Sequence, residues 1–531
     1  MDIKKINFKI VLLLIILLFS AWVRIQNVGY SDYQGDEIKA FFNPKEDGEY
    51  LQFLLDQRKG PNQFIVTGLI KDITNEYQNY FLTRLPFALA GFISVIVFYF
   101  VVKNYFGVNI AIWSSVFFAT NGFLIAFSRI VQYQAFVILF GLLGILLYQL
   151  YQNSKRYGFL YLSGVSFAIS ILFHYDGVFF TIPVLITGLW ALFKDFKIKD
   201  KPKDKKDLIQ HLISFLISIS ILLSFYIPFV LNLSEQTISY WEGRISGNVS
   251  SKISSSYYLF TVYQPIYAIH FYILITFMGF FAICFPYLNQ WLKLGLKLDF
   301  SEKINLNLLA ILIWGILPLI MLEVFVSVPG THIYTYLIPG MILMAYGLNY
   351  FLEFVRHNLN NIFSKIYIFG GILLFLFLAL QAHTIFIDNQ SGEYPWEDKK
   401  FLIFTMNRPT PTFHLSMFGF PYNRNWQGIA EFMKDKPNYY STNEREPITR
   451  YYVKNQKAGD KIGYFIWIEA PQSFTDEIKN ERTRTYIKDK EPVFVSINPS
   501  GKKSLIYYVP EDFTLPGKII ITQPTSENIQ E

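Results

Sequence analysis

Charge-free apolar stretches recur along this chain at the length of a bilayer crossing, and no other feature narrows its possible folds as much. A helix needs about 20 residues to cross ~30 Å of hydrocarbon, and Lys or Arg side chains at its ends can snorkel back to water. Eleven such runs are read, at about 8–25, 84–102, 108–127, 132–152, 158–174, 177–193, 209–231, 266–287, 305–325, 334–352 and 366–385. Composition agrees with a chain dissolved largely in lipid: 52% of the 531 residues are hydrophobic and 18% aromatic, while 16% are charged. About a quarter is usual in soluble domains. The net charge of +7 sits in loops between apolar runs and forms no soluble basic face, so nucleic acid is not an expected partner. Cys284 is the sole cysteine and lies in an apolar stretch, which rules out an intramolecular disulfide and a cysteine-based metal site.

Lys4, Lys5 and Lys9 precede the first run, and no clear small-x-small cleavage site follows before Arg24, so the run reads as an uncleaved signal anchor. A cytoplasmic N-terminus places Lys155, Arg156, the Lys-rich loop from Lys194 to Lys206, Lys293, Lys297, Arg356 and Lys365 inside, as the positive-inside rule expects. With an odd number of spans, the tail 388–531 then lies outside, on the same side as a long first loop at about 24–83. The fold expected is therefore an α-helical polytopic membrane unit, 1–387, followed by an extracytoplasmic α/β domain. In that tail a helix is expected near Trp426–Met433, with strands near Tyr464–Ile468, Val493–Ile497 and Leu505–Val509. The sequence carries no Walker phosphate loop, no dinucleotide glycine fingerprint and no internal repeat of fixed period.

This topology brings several polar residues to one level, the outer ends of the helices: Asp36, Glu37, Arg84, Arg129, His174, Asp176 and His332. Ionisable groups near membrane depth are costly unless they pair or line a wet cavity, so the set is a candidate site. Asp36 and Glu37 follow Gly35, which permits a turn toward the membrane. On an extended segment the two carboxylates would diverge, one toward substrate and the other toward a cation or an orienting role. His174 and Asp176 can orient a phosphate or bind a cation, and a metal would need a further ligand from elsewhere. The loop 232–264, with Trp241 and Glu242, is long enough for an interfacial helix that anchors at the membrane or covers a cavity.

In chain order the outer segments read Asp36-Glu37, Lys59-Gly60-Pro61-Asn62-Gln63-Phe64, Thr83-Arg84-Leu85-Pro86-Phe87, Phe127-Ser128-Arg129-Ile130 and His332-Ile333-Tyr334-Thr335-Tyr336-Leu337-Ile338-Pro339. Together with Tyr105-Phe106-Gly107 at an inner turn, this ordered set resembles the GT-C membrane glycosyltransferases, in particular the group of protein O-mannosyltransferases and lipid A aminoarabinose transferases. The resemblance implies transfer of a sugar from a polyprenyl-phosphate donor to a lipid, glycan or protein acceptor on the outer face of a cell membrane. By the same likeness, Asp36 corresponds to the catalytic acidic residue, Glu37 to a residue that helps hold acceptor, Lys59 to a basic residue near the donor phosphate and Arg84 to an arginine near the site.

The chemistry asks for such groups independently. Cleaving an anomeric C–O bond to a phosphate needs cations for the developing charge, which Lys59, Arg84, Arg129 or His332 can supply, and a carboxylate such as Asp36 to take the acceptor proton. Gln132 and Tyr336 join the list as groups able to meet sugar or donor. Two departures from the family pattern stand out. Arg58 replaces an acidic residue that binds metal in some relatives, which leaves a divalent metal open, and Arg129 is followed by Gln132 and Gln134 where many relatives have an Asp. The competing readings are a lipid-linked sugar flippase, which should show half-repeats or charges at the bilayer midplane, and a non-catalytic sugar-binding membrane protein.

Overall fold

The computed structural model describes residues 8–44, 48–197, 205–245, 305–327, 330–358, 361–390, 393–394, 399–401, 404–406, 419–436, 439–454 and 463–510, with isolated positions between 275 and 284. Two compact units result, Met1–Tyr422 and Asn423–Glu531. The expected span at 266–287, most of the Lys-rich loop and the later part of the 232–264 loop fall outside the described residues.

The first unit begins with α1 (Phe8–Ile25), followed by three short helices in the first loop, α2 (Gly35–Ile38), α3 (Tyr50–Leu55) and α4 (Asn62–Ile70). Then come α5 (Tyr80–Phe106), α6 (Val108–Thr120), α7 (Gly122–Ser128), α8 (Gln134–Ser154) and α9 (Tyr157–Phe173). A 3-10 turn (Tyr175–Thr181) leads into α10 (Ile182–Lys197), α11 (Lys205–Leu231) and α12 (Glu235–Ile245). The last helices of this unit are α13 (Leu306–Phe325), α14 (Tyr334–Asn358) and α15 (Asn361–Phe386). Among the described residues seven helices are long and apolar enough to cross a membrane, or eight when the bent pair α6–α7 is taken as one span. The sequence reading of eleven differs partly because the runs at 158–174 and 177–193 form shorter helices, and partly because 266–287 is not described.

Burial sorts the helices. The most apolar windows of the spans at α5, α8 and α14 are 61% buried and make the centre, whereas those of α11 and α15 are 11% and 17% buried and leave their Leu, Ile and Phe side chains for lipid. Local sequence explains the breaks. Asn79 caps α5 by accepting from the Leu82 N–H, and Gly107 ends it at φ +84°, a backbone region that disfavours a side chain. Asn121 starts α7 by accepting from the N–H groups of Phe123 and Leu124, and the pair α6–α7 bends by 61° there. The bend leaves carbonyls at the C-terminal end of α6 without helical donors, and the buried Arg24 guanidinium donates to two of them, Ala119 at 3.2 Å and Phe118 at 3.5 Å.

The first unit reaches Tyr422, beyond the 387/388 boundary read from the sequence, because the chain folds back on α15. The Tyr394 N–H donates to Pro421 at 2.8 Å, the Tyr394 ring stacks on Phe420 at 5.1 Å, and Phe420 stacks on Phe386 at 5.5 Å. A two-stranded ribbon, β1 (Lys399–Phe401) with β2 (Phe404–Met406), lies in the same stretch.

The second unit is α/β. Its elements are α16 (Trp426–Met433), β3 (Tyr440–Thr442), α17 (Glu446–Tyr452), β4 (Tyr464–Ile468), α18 (Glu481–Ile487), β5 (Phe494–Ile497) and β6 (Lys503–Tyr508). The sheet order is β3-β4-β6-β5, with β3 parallel to β4 and the other pairs antiparallel. Phe465, Ile487 and Val509 form its core, and the fully buried Trp426 stacks on Tyr452.

Candidate active site

The polar residues singled out in the sequence meet at one end of the helical unit, carried by the C-terminal ends of α7 and α9, the N-terminal ends of α5, α8 and α14, and the first loop. Chain direction alternates at these ends, so the contacts place them on a single side of the bundle.

Asp36 and Glu37 lie on the single helical turn α2 and not on an extended segment as expected, yet their carboxylates diverge because neighbours on a helix differ by about 100°. Glu37 turns inward, with its side chain 1% exposed. Arg84 grips it with two bonds, Nε to Oε1 and a terminal nitrogen to Oε2, both 2.8 Å. The same guanidinium donates to the carbonyls of Val28 at 3.0 Å, Ser31 at 2.7 Å and Asp32 at 3.1 Å. Glu37 also accepts the N–H of Val131 at 3.0 Å and that of Gln34 at 3.2 Å. Arg84 and Glu37 therefore pin the first loop to α5 and to the α7–α8 corner. Arg129 has a similar place, donating to Val23 and Gln26 at the C-terminal end of α1 and to Gly419, each at 2.8 Å. All three groups bond backbone in the structure, Glu37 as acceptor and the two arginines as donors.

Asp36 faces the other way, 37% exposed, with Lys39 at 3.6 Å. Gln132 connects it to Lys59: the Gln132 Nε2 donates to the Asp36 carbonyl at 2.5 Å, and its Oε1 accepts from Lys59 Nζ at 3.2 Å. Lys59 lies 4.7 Å from the Tyr133 ring centroid. Burial pushes its ammonium down to about 8 against the upward pull of the Asp36 carboxylate, and Lys39 lowers it further. Gly60 puts it there: a Cβ at this position would sit 1.9 Å from the Leu172 carbonyl oxygen, so only glycine lets the loop press against the end of α9.

The third group lies beyond Tyr133, whose ring stacks on His174 at 4.1 Å and 7°. Asp176 stands between two imidazoles. Its Oδ1 is 3.3 Å from His174 Nδ1, its Oδ2 accepts from His332 Nδ1 at 2.7 Å, and Tyr334 donates to the same oxygen at 3.0 Å. Tyr334 holds the carboxylate; Tyr336, chosen from the sequence, stands two positions on and is partly buried. Tyr133 was missed, and no local signal marks it, since its partners Lys59 and His174 arrive from distant segments. A carboxylate, an adjacent ammonium and an imidazole–carboxylate cluster on one side of an apolar bundle suit proton removal at an acceptor and charge stabilisation at a phosphate.

One family model matches the part of the chain that carries most of this site. Residues 51–242 match the family model described as dolichyl-phosphate-mannose-protein mannosyltransferase, a segment that contains Lys59, Arg84, Arg129, Gln132, His174 and Asp176. Similar solved structures include ArnT from Cupriavidus metallidurans bound to undecaprenyl phosphate, at 11% identity over 94% of this chain and 98% of that chain with a TM-score of 0.48. The S. cerevisiae protein O-mannosyltransferase Pmt1-Pmt2 complex bound to the sugar donor is 16% identical over 46% of this chain and 36% of that one, with a TM-score of 0.36. The Archaeoglobus fulgidus oligosaccharyltransferase tethered with an acceptor peptide is 11% identical over 90% and 61% of the two chains, with a TM-score of 0.46. A comparison with curated proteins found no match.

Proposed function

We propose that this chain transfers a sugar from a polyprenyl-phosphate donor to a lipid, glycan or protein acceptor, with Asp36 as the base. The observation that carries the reading is the division of labour in the acidic pair: Glu37 is consumed by Arg84, while Asp36 faces solvent within a Gln132-bridged unit that holds Lys59. In the reaction an acceptor hydroxyl gives its proton to Asp36, and its oxygen attacks the anomeric carbon. The C–O bond to the lipid phosphate breaks, and the electron pair leaves with a phosphate oxygen whose charge Lys59 stabilises. A single displacement inverts the anomeric configuration. His174, Asp176 and His332 border the donor side through Tyr133.

The orientation belongs to the same proposal. A cytoplasmic N-terminus puts the Lys-rich loops inside and the cluster on the outer face of the cell membrane, with the C-terminal domain on that side too. Lipid-linked sugars serve this side, where nucleotide sugars are not at hand.

The test is turnover of a panel of radiolabelled polyprenyl-phosphate sugars in membranes that contain wild type or Asp36→Asn, with lipid, glycan and protein fractions separated afterward. Label that moves in wild type and stays on the donor in the variant supports the assignment and identifies the acceptor fraction. Equal transfer by both removes Asp36 from the base role. Donor bound but never consumed favours a carrier or binding protein.

A further inference from the structure

We infer that His174, Asp176 and His332 form a site for one divalent transition-metal ion of the zinc type, built from side chains that the transfer step itself does not require. One ligand atom from each residue lies within 4.8 Å of the others. The donor set is two imidazoles and one carboxylate. Three protein ligands with a fourth position open is the pattern of a reactive zinc site, and hard cations such as magnesium prefer oxygen alone.

The spacing at His174 suits the ion. His174 Nδ1 stands 3.3 Å from Asp176 Oδ1 in a buried place. Ligand atoms ~2.0–2.1 Å from a tetrahedral ion are about 3.3 Å apart, which is the spacing seen here. His332 needs more adjustment. At 2.7 Å it now donates its Nδ1 proton to Asp176 Oδ2, and binding must expel that proton to water and widen the contact by a few tenths of an ångström.

The surroundings hold the ligands. His174 lies between the rings of Tyr133 at 4.1 Å and Tyr175 at 3.8 Å, and Tyr334 donates to the carboxylate as an outer-shell partner would. His332 is the most accessible of the three, 14% exposed against 3% and 2%, and gives the open position its access. The ligand set uses neither Arg58 nor its neighbours, so the missing acidic residue before Lys59 does not bear on it. If the proposed transfer is also right, the ion and Lys59 present two cations to one phosphate from either side of Tyr133.

The experiment uses the full chain in detergent, stripped with a chelator and dialysed against zinc or cobalt alone, without donor. Wild type should retain one zinc per chain, and the cobalt form should show the intense visible absorption of a four-coordinate ion. His332→Gln should raise the dissociation constant for zinc by about 100-fold or more, and Tyr334→Phe, which leaves all three ligands in place, by roughly 10-fold. X-ray absorption at the zinc edge of wild type should show two imidazole scatterers, a readout that stands even where a variant fails to fold. Wild type without stoichiometric metal, or an edge spectrum without imidazole, overturns the site. Metal absent with donor turnover intact refutes the ion alone; metal bound with no turnover of any donor refutes the transfer reading alone.

Discussion

Glu37 and Arg84 should fail by loosening the first loop, whereas Asp36 should fail by losing chemistry. Arg84→Met leaves the Glu37 carboxylate buried without its cation and removes the donors from the carbonyls of Val28, Ser31 and Asp32. Removing one partner of a buried ion pair costs about 3–5 kcal/mol. At about 1.4 kcal/mol per factor of ten, the open state of the 24–83 loop should become roughly a hundredfold to several thousandfold more populated. Limited proteolysis of the purified chain reads this directly when reclosing outpaces cleavage. The cut should fall in that loop and accelerate by the same factor in Arg84→Met, with a smaller acceleration in Glu37→Gln, which still offers one acceptor oxygen. The double variant should cost less than the two singles summed, because they share one interaction. Cleavage of Arg84→Met at the wild-type rate would refute the pinning role, and strict additivity would refute the coupling.

Asp36→Asn should keep the wild-type proteolysis pattern and lose about 10²–10⁴-fold in turnover, checked by labelled-donor assay. If Lys59 holds the donor phosphate as proposed, the donor KM should climb by about tenfold per pH unit above the Lys59 value of about 8, since its charge is present below that pH and lost above it. Lys59→Arg should flatten that limb, because a guanidinium stays charged. Gln132→Leu, which cuts the tie between Lys59 and the Asp36 carbonyl, should lower kcat/KM by roughly tenfold with little change in melting temperature. Product anomers separated by NMR should show inversion at the transferred sugar, and retention would exclude the single displacement.

Apolar run length located most helices, because a bilayer crossing imposes one length on all of them. The short α/β elements near Trp426–Met433 and Tyr464–Ile468 were legible too, since their alternation and turn residues are local signals. Side-chain roles were harder to read. Arg84 and Arg129 look like anion receptors in a linear sequence, and nothing there shows that backbone carbonyls of α1 and the first loop occupy them. The Asp36 and Glu37 dipeptide carries no mark of which carboxylate is sealed, because that depends on Val131 and Arg84 arriving from two other helices. Tyr133 is one tyrosine among 36, distinguished only by what lies above and below its ring.

The contact between Gly60 and the Leu172 carbonyl ties the position of Lys59 to main chain. A lysine on a long flexible stem is ordinarily free to wander, and its neighbours in sequence would tune where it goes. Here the peptide beside it rests against the last turn of a helix, at Leu172, two residues before His174. Replacing the Gly60 hydrogen with a methyl group pushes this peptide off the helix end and moves the ammonium relative to Gln132 and Tyr133.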